Sequence, residues 1–224
     1  MDTGVVQAVA RYAEEVMGQE GLRYVSAVVA NCKMLAVELE AQEEQENQEE
    51  QEEQEKSKSV PAVDMDALVM AAYLHDISTV AYGFQDHHLK SAEMAADFLR
   101  AQEAPAECIS KVEQAILAHT IPIPAEKRES ASLESLILYD ADKLGRLSGL
   151  AVVTSLIEFG ARYPNRAVTG EVLAAILRHI EERFIELYQS LNTAPAREMA
   201  REKFSKTLAF LDGIIEHLSD ATPV

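Results

Sequence analysis

An all-α fold is what this sequence predicts, and three observations carry the reading. Apolar residues recur at spacings of three and four along most of the chain, as one face of a helix requires. Trp is absent, and 9 Gly and 7 Pro are few among 224 residues, so turns are scarce. No segment alternates apolar and polar residues convincingly, and no internal repeat is visible. With 48% hydrophobic residues the chain can bury a real core, and it reads as a single helical domain over residues 1–224.

The elements follow in order. Val5, Val6, Val9 and Val16 set a first helix over 3–17, and Gly18 and Gly21 bracket a break. A second helix starts near Leu22 and carries Val25, Val28, Val29, Cys32, Leu35, Ala36 and Leu39. It runs into Glu38–Ser59, a tract of Glu, Gln, Lys and Ser. Glu and Gln favour helix, but this tract has no apolar stripe and its like charges repel. Residues 41–59 are therefore expected to be a surface insertion, frayed or disordered. An acidic docking surface is the sharper alternative.

Pro61 marks the next start, and a third helix covers about 63–76. A loop from Ser78 to Gln85 follows, after which the Asp86 carboxylate is expected to cap a helix over 87–102. Pro105 opens a helix running to His119. Ile121-Pro122-Ile123-Pro124 is an extended linker, because a residue before proline avoids the helical region. Helices over 131–148 and 149–160 come next, then a turn at Tyr163-Pro164-Asn165. Two long amphipathic helices, 169–191 and 196–219, close the chain with Pro195 between them.

The formal net charge is −18, which argues against a general nucleic-acid or anionic-membrane surface. A small anionic substrate held by a metal and local cations remains compatible with it. Cys32 and Cys108 stand far apart without metal spacing and read as reduced thiols in a helical core. There is neither a basic-then-apolar leader nor an apolar run near the ~18 residues that span a bilayer, so the expected location is the cytoplasm. Oligomeric state is not legible.

The most informative feature is His75-Asp76, which ends the apolar run Ala67–Leu74. A buried imidazole or carboxylate without a partner costs roughly 1–3 kcal/mol, and more when charged. A divalent metal removes that cost, because both groups can ligate it. The bland reading of His75 alone is a core histidine bonded to a carbonyl. Asp140-Ala141-Asp142-Lys143-Leu144 is the second unusual stretch. At ~100° per residue Asp140 and Asp142 lie about 200° apart and point to different sides of a helix. The apolar stripe Leu133, Leu136, Ile137, Leu144 and Leu147 favours Asp140 as the inward acid, whereas Asp142 shares a face with the small residues Gly145 and Gly149.

Four stretches together resemble the HD-domain superfamily of all-α, metal-dependent phosphohydrolases. They are Tyr73-Leu74-His75-Asp76-Ile77, then Asp86-His87-His88-Leu89-Lys90-Ser91-Ala92-Glu93, then Ala115-Ile116-Leu117-Ala118-His119, then Asp140–Leu144. The resemblance spans about residues 20–160 and implies a single HD-like helical bundle. It implies metal ligation by His75, Asp76 and Asp142, since Ala141-Asp142-Lys143-Leu144 matches the family's Ala-Asp-basic-Leu. The family's first ligand, a His on an early helix, falls on Tyr24, and phenol is a poor ligand for common divalent ions. His87 and His119 resemble accessory positions that bind a second metal or the scissile phosphate; His88 is a weaker match. His179 and His217 lie outside the pattern and are expected to be ordinary surface or satisfied histidines.

The implied cofactor is a divalent metal ion, whether Mn, Fe, Co, Ni, Zn or Mg. The implied chemistry is hydrolysis of a phosphate ester of a small metabolite or nucleotide by a metal-activated water. In it Asp76 orients the water, His87 or His119 protonates the leaving oxygen, and Lys143 balances phosphoryl charge. Lys143 and Arg146 read on their own as solvated or paired cations. Two rivals remain: a nucleotide-sensing or partner-binding module without turnover, for which Tyr24 and the acidic insertion argue, and a plain helical interaction protein.

Overall fold

The computed structural model describes residues 3–51, 62–128, 130–165 and 167–220, which are helical with no strand among them. Two compact units divide them, Met1–Asp142 and Lys143–Val224.

The first unit opens with α1 (Thr3–Gln51), which is broken at Gly18 (φ 70°, ψ 179°). That backbone conformation is open to glycine and strained for other residues, so Gly18 sets the break; Gly21 is helical. After the break Val25, Val28, Val29, Cys32, Leu35 and Ala36 turn a buried stripe inward. Helix α1 continues through Gln51, so residues 41–51 correct the expected frayed insertion. Glu and Gln lose little side-chain freedom in a helix and extend one already nucleated by the packed stripe. Residues 52–59 of that tract lie outside the described residues.

Helix α2 (Met65–Leu74) packs chiefly against α1 and α5. Ala67–Ala72 and Leu74 are all buried, which explains a run that is apolar all round rather than striped. Asp64 caps α2 by accepting from Ala67 N at 3.1 Å, and Lys111 of α5 (Ala106–Ala118) bonds its second oxygen at 3.1 Å. The loop expected after α2 contains a short helix, α3 (Thr79–Tyr82), ended by Gly83 at φ 71°. Helix α4 (His87–Ala101) lies against α5, and Phe98 stacks on Tyr12 of α1 with ring centroids 4.1 Å apart.

Asp86 holds the position before α4, but its side chain makes no capping bond. Its backbone is left-handed (φ 53°), which corrects the carboxylate cap expected there. Its carbonyl instead accepts from Leu89 N at 3.1 Å. After the Ile121–Pro124 linker comes a second short helix the sequence did not signal, α6 (Ala125–Arg128). Helix α7 (Leu133–Arg146) crosses the boundary between the units.

The second unit continues with α8 (Gly149–Arg162), α9 (Gly170–Ser190) and α10 (Ala194–Asp220), with α9 packed on α10. Val152, Leu177 and Leu211 form its buried core. Thr169 caps α9 by accepting from Val172 N, and Pro195 sits inside the first turn of α10, where its missing N–H costs nothing. His179 and His217 are exposed in this unit, as expected. Among the described residues no single helix is long and apolar enough to cross a membrane.

The Asp64 cap gives a stability test. Asp64→Ala should cost about 1 kcal/mol at neutral pH. Partial burial raises the Asp64 pKa, but the bonds from Ala67 N and Lys111 outweigh it and leave it lowered. A lowered folded pKa means the contribution is full above the unfolded value of ~3.9 and fades as pH falls through the folded value. Urea melts of the two proteins should differ at pH 7 and converge in stronger acid.

Candidate metal centre

Helices α2 and α5 both end on a histidine, His75 and His119. The last turn of a helix leaves carbonyls without amide partners. Each imidazole folds back and donates from Nδ1 to the carbonyl three residues earlier: His75 to Ala72 O (2.8 Å) and His119 to Ile116 O. His87, at the start of α4, does the same to Phe84 O at 2.8 Å. A carbonyl only accepts, so all three rings carry their proton on Nδ1 and turn Nε2 toward one another.

These nitrogens converge on Asp76. His87 Nε2 lies 3.2 Å and His119 Nε2 3.6 Å from Asp76 Oδ1, and His75 Nε2 lies 3.5 Å from Oδ2. His87 Nε2 and His119 Nε2 are 3.3 Å apart. Asp142 Oδ1 stands 4.0 Å from His75 Nε2 on another side.

Donor atoms about 2.1 Å from one ion sit roughly 3.0–3.4 Å from their neighbours, so the cluster is spaced like a coordination shell. Atoms of His75, Asp76 and His119 lie within 4.8 Å of one another and can hold a metal ion together. His75 Nε2 and Asp76 Oδ1 are buried with no hydrogen-bond partner. A cation relieves both orphans, so the residues fit a divalent metal.

The electrostatics agree. Burial alone would raise the Asp76 pKa, yet His119 and His75 outweigh it and hold the carboxyl below the usual range. Burial pushes His119 down despite the pull of Asp76, which favours its neutral, metal-binding form. Burial, reinforced by the Asp142 charge, raises the Cys32 thiol and keeps it protonated. Both cysteines are free and buried.

A shell of neighbours fixes these groups. Thr79 Oγ1 donates to Asp76 O at 2.7 Å. Ser91 Oγ donates to Ser78 Oγ (2.9 Å), and Ser78 Oγ donates to His87 O (3.0 Å), tying the end of α2 to the start of α4. Asn31 of α1 donates to Ala141 O at 3.1 Å, one residue before Asp142. Sequence reasoning missed Ser78 and Asn31; Ser91 was visible only as part of the Asp86–Glu93 stretch.

Asp140 and Asp142 are both buried, because every residue from Glu134 to Leu144 is buried. The stripe argument, which assumes one inward face, therefore could not choose between them. Asp142 is the acid that reaches His75. Tyr24 donates its hydroxyl to Asp142 Oδ1 at 2.6 Å and lies 6.0 Å from the His75 ring. Lys143, next on α7, is 6% exposed, which leaves the paired half of the solvated-or-paired expectation. His88 faces the His87 ring at 6.0 Å and adds no atom to the metal-holding cluster.

This fold and this convergence of His and Asp define the class. The HD-domain family model matches residues 8–147, well over half the chain, and the protein belongs to the HD-domain family, a superfamily of metal-dependent phosphohydrolases. Solved structures share the fold across nearly the whole chain. The Listeria innocua Lin1889 protein is 15% identical with a TM-score of 0.65, each chain covered to 98%. A Lactobacillus plantarum protein is 16% identical with a TM-score of 0.65, over 98% of this chain and 99% of that one. Bacillus subtilis YpgQ, solved in complex with ADP, is 18% identical with a TM-score of 0.57, over 94% of this chain and 93% of that one. A sequence comparison with curated proteins gives no significant match.

Asp76→Ala should strip metal from the purified protein, read by elemental analysis, while leaving far-UV circular dichroism intact. Loss of helicity together with the metal would make Asp76 chiefly structural.

Proposed function

We propose that this chain is a metal-dependent phosphohydrolase that cleaves a phosphate ester of a small metabolite or nucleotide. The observation that carries the reading is the set of three Nδ1-tethered imidazoles whose Nε2 atoms meet the Asp76 carboxylate beside Asp142. His75, Asp76, His119 and Asp142 would hold the ion. When bound, a divalent cation acidifies water and offsets phosphate charge.

The chain's own groups do the rest. Asp76 would help hold the ion and orient the attacking water. His87 is the most exposed of the three imidazoles, with its side chain 16% exposed. Its Nε2 would take up a proton from the attacking water and pass it to the leaving oxygen, and His119, 2% exposed, is left to ligation. A chain of charge −18 repels polyanions, so the substrate is small and neither nucleic acid nor a membrane is a partner. That YpgQ was solved with ADP is consistent with a nucleotide substrate.

One observation favours the second reading, a nucleotide-sensing module without turnover. The Tyr24 hydroxyl donates to Asp142 Oδ1, an oxygen that would otherwise be offered to the metal. Replacing that donor with an acceptor nitrogen reverses the competition, so Tyr24→His should tighten Mn binding, measured by titration calorimetry. An unchanged affinity would mean the Tyr24 bond does not limit the site.

The reading itself is tested by phosphate release from a panel of phosphorylated metabolites with added Mn, Mg, Co and Ni. Turnover should need metal and fall at least about a hundredfold in Asp142→Asn, as loss of a charge-stabilising group does. No turnover, with a nucleotide-induced rise in melting temperature, would establish the sensor instead.

A further inference from the structure

The cluster has a way in, and the exposure of its members shows where. The side chains of His75, Asp142, His119 and Asp76 are 0–6% exposed, whereas His87 reaches 16%. Solvent meets the cluster along His87, so a substrate whose phosphoryl group sits there extends its organic part past that ring.

Beside that ring stands Phe84. Its ring centroid is 5.8 Å from that of His87, at 77° between planes, and it is 71% exposed. Isolated exposed hydrophobes are common on any surface. This one belongs to a series, since Val80, Tyr82 and Leu89 are also more than half exposed within ten residues. The segment is also held in place at defined points. Gly83 turns the chain with φ 71°, and its N–H donates to Thr79 O at 2.8 Å. Phe84 O accepts the His87 Nδ1 proton, so one hydrogen bond sets both the Phe84 backbone and the ring that meets the phosphate. Lys90, one turn beyond His87, lies 4.6 Å from the Tyr82 ring centre and puts a cation on the same segment of a very acidic chain.

We propose that Phe84 is a specificity-determining residue that stacks against a planar aromatic group of the phosphate ester, selecting aromatic over aliphatic esters. The inference rests on the phosphohydrolase reading for the place of the phosphoryl group. An exposed phenyl ring on an anchored backbone offers a planar group an offset-stacked partner. An aliphatic polyol gains little from that face.

The test measures equilibrium binding of phenyl phosphate and glycerol phosphate to the full-length protein loaded with Mn, by titration calorimetry, beside phosphate release from both. The wild type should prefer phenyl phosphate. That preference should shrink roughly five- to tenfold in Phe84→Ala. Phe84→Leu, which keeps apolar bulk without a π-face, should lose it too, and Phe84→Trp should restore it. Circular dichroism melts confirm that each variant folds. An affinity ratio unchanged across the variants, or no preference in the wild type, overturns the proposal. Metal-dependent phosphate release reports separately on the phosphohydrolase reading, because the affinity ratio survives in a site that binds without turnover.

Discussion

One repeated hydrogen bond organises the centre of this protein: an imidazole Nδ1–H given to a carbonyl three residues back. At His75 and His119 the accepting carbonyls belong to the last turns of α2 and α5, and Ile116 O takes the His119 N–H as well. Ending the helix and fixing the tautomer are thus one act. The bond turns Nε2 away from the helix end and restricts the ring, so that nitrogen has a direction as well as a tautomer. At His87 the same bond is made at the other end of a helix, and the third nitrogen comes to Asp76 from α4. A core of Leu, Ile and Ala then surrounds groups that, without a cation, leave His75 Nε2 and Asp76 Oδ1 unsatisfied.

Of the two readings of His75 that the sequence offers, the carbonyl-bonded core histidine is observed, and it leaves room for the other. The ring is a core histidine bonded to a carbonyl, and that bond is what presents its other nitrogen to Asp76. A choice between structural and ligating histidine is a false one wherever one nitrogen serves each purpose.

Legibility followed the physical range of each signal. The long helices were readable because burial imposes a period on ten or more residues, and α2 was readable from composition because all its faces are covered. Helices α3 and α6, four residues each, are too short to show a period. Asp86 has the residue type of a cap, but its backbone is left-handed and its side chain makes no capping bond, and nothing local in the sequence marks that turn. In the site, His75 and Asp76 stood out because polar groups at the end of an apolar run are costly. Asp142 was singled out through its motif against the apolar stripe, which carries no information where Glu134 to Leu144 are all buried, and it stands 4.0 Å from His75 Nε2. His119 was placed near the chemistry, but its membership of the metal-holding set depends on distances across α2 and α5 that no spacing along the chain encodes.

The acidic end of α1 has a kinetic meaning of its own. A chain of charge −18 surrounds itself with a potential that slows the approach of any anion. At ~0.15 M salt that potential decays over about 8 Å, so Glu residues far along an extended helix count at low ionic strength and fade near physiological values. Encounter with a phosphate-bearing molecule should accordingly quicken as salt is added, the reverse of what an electrostatically steered protein does.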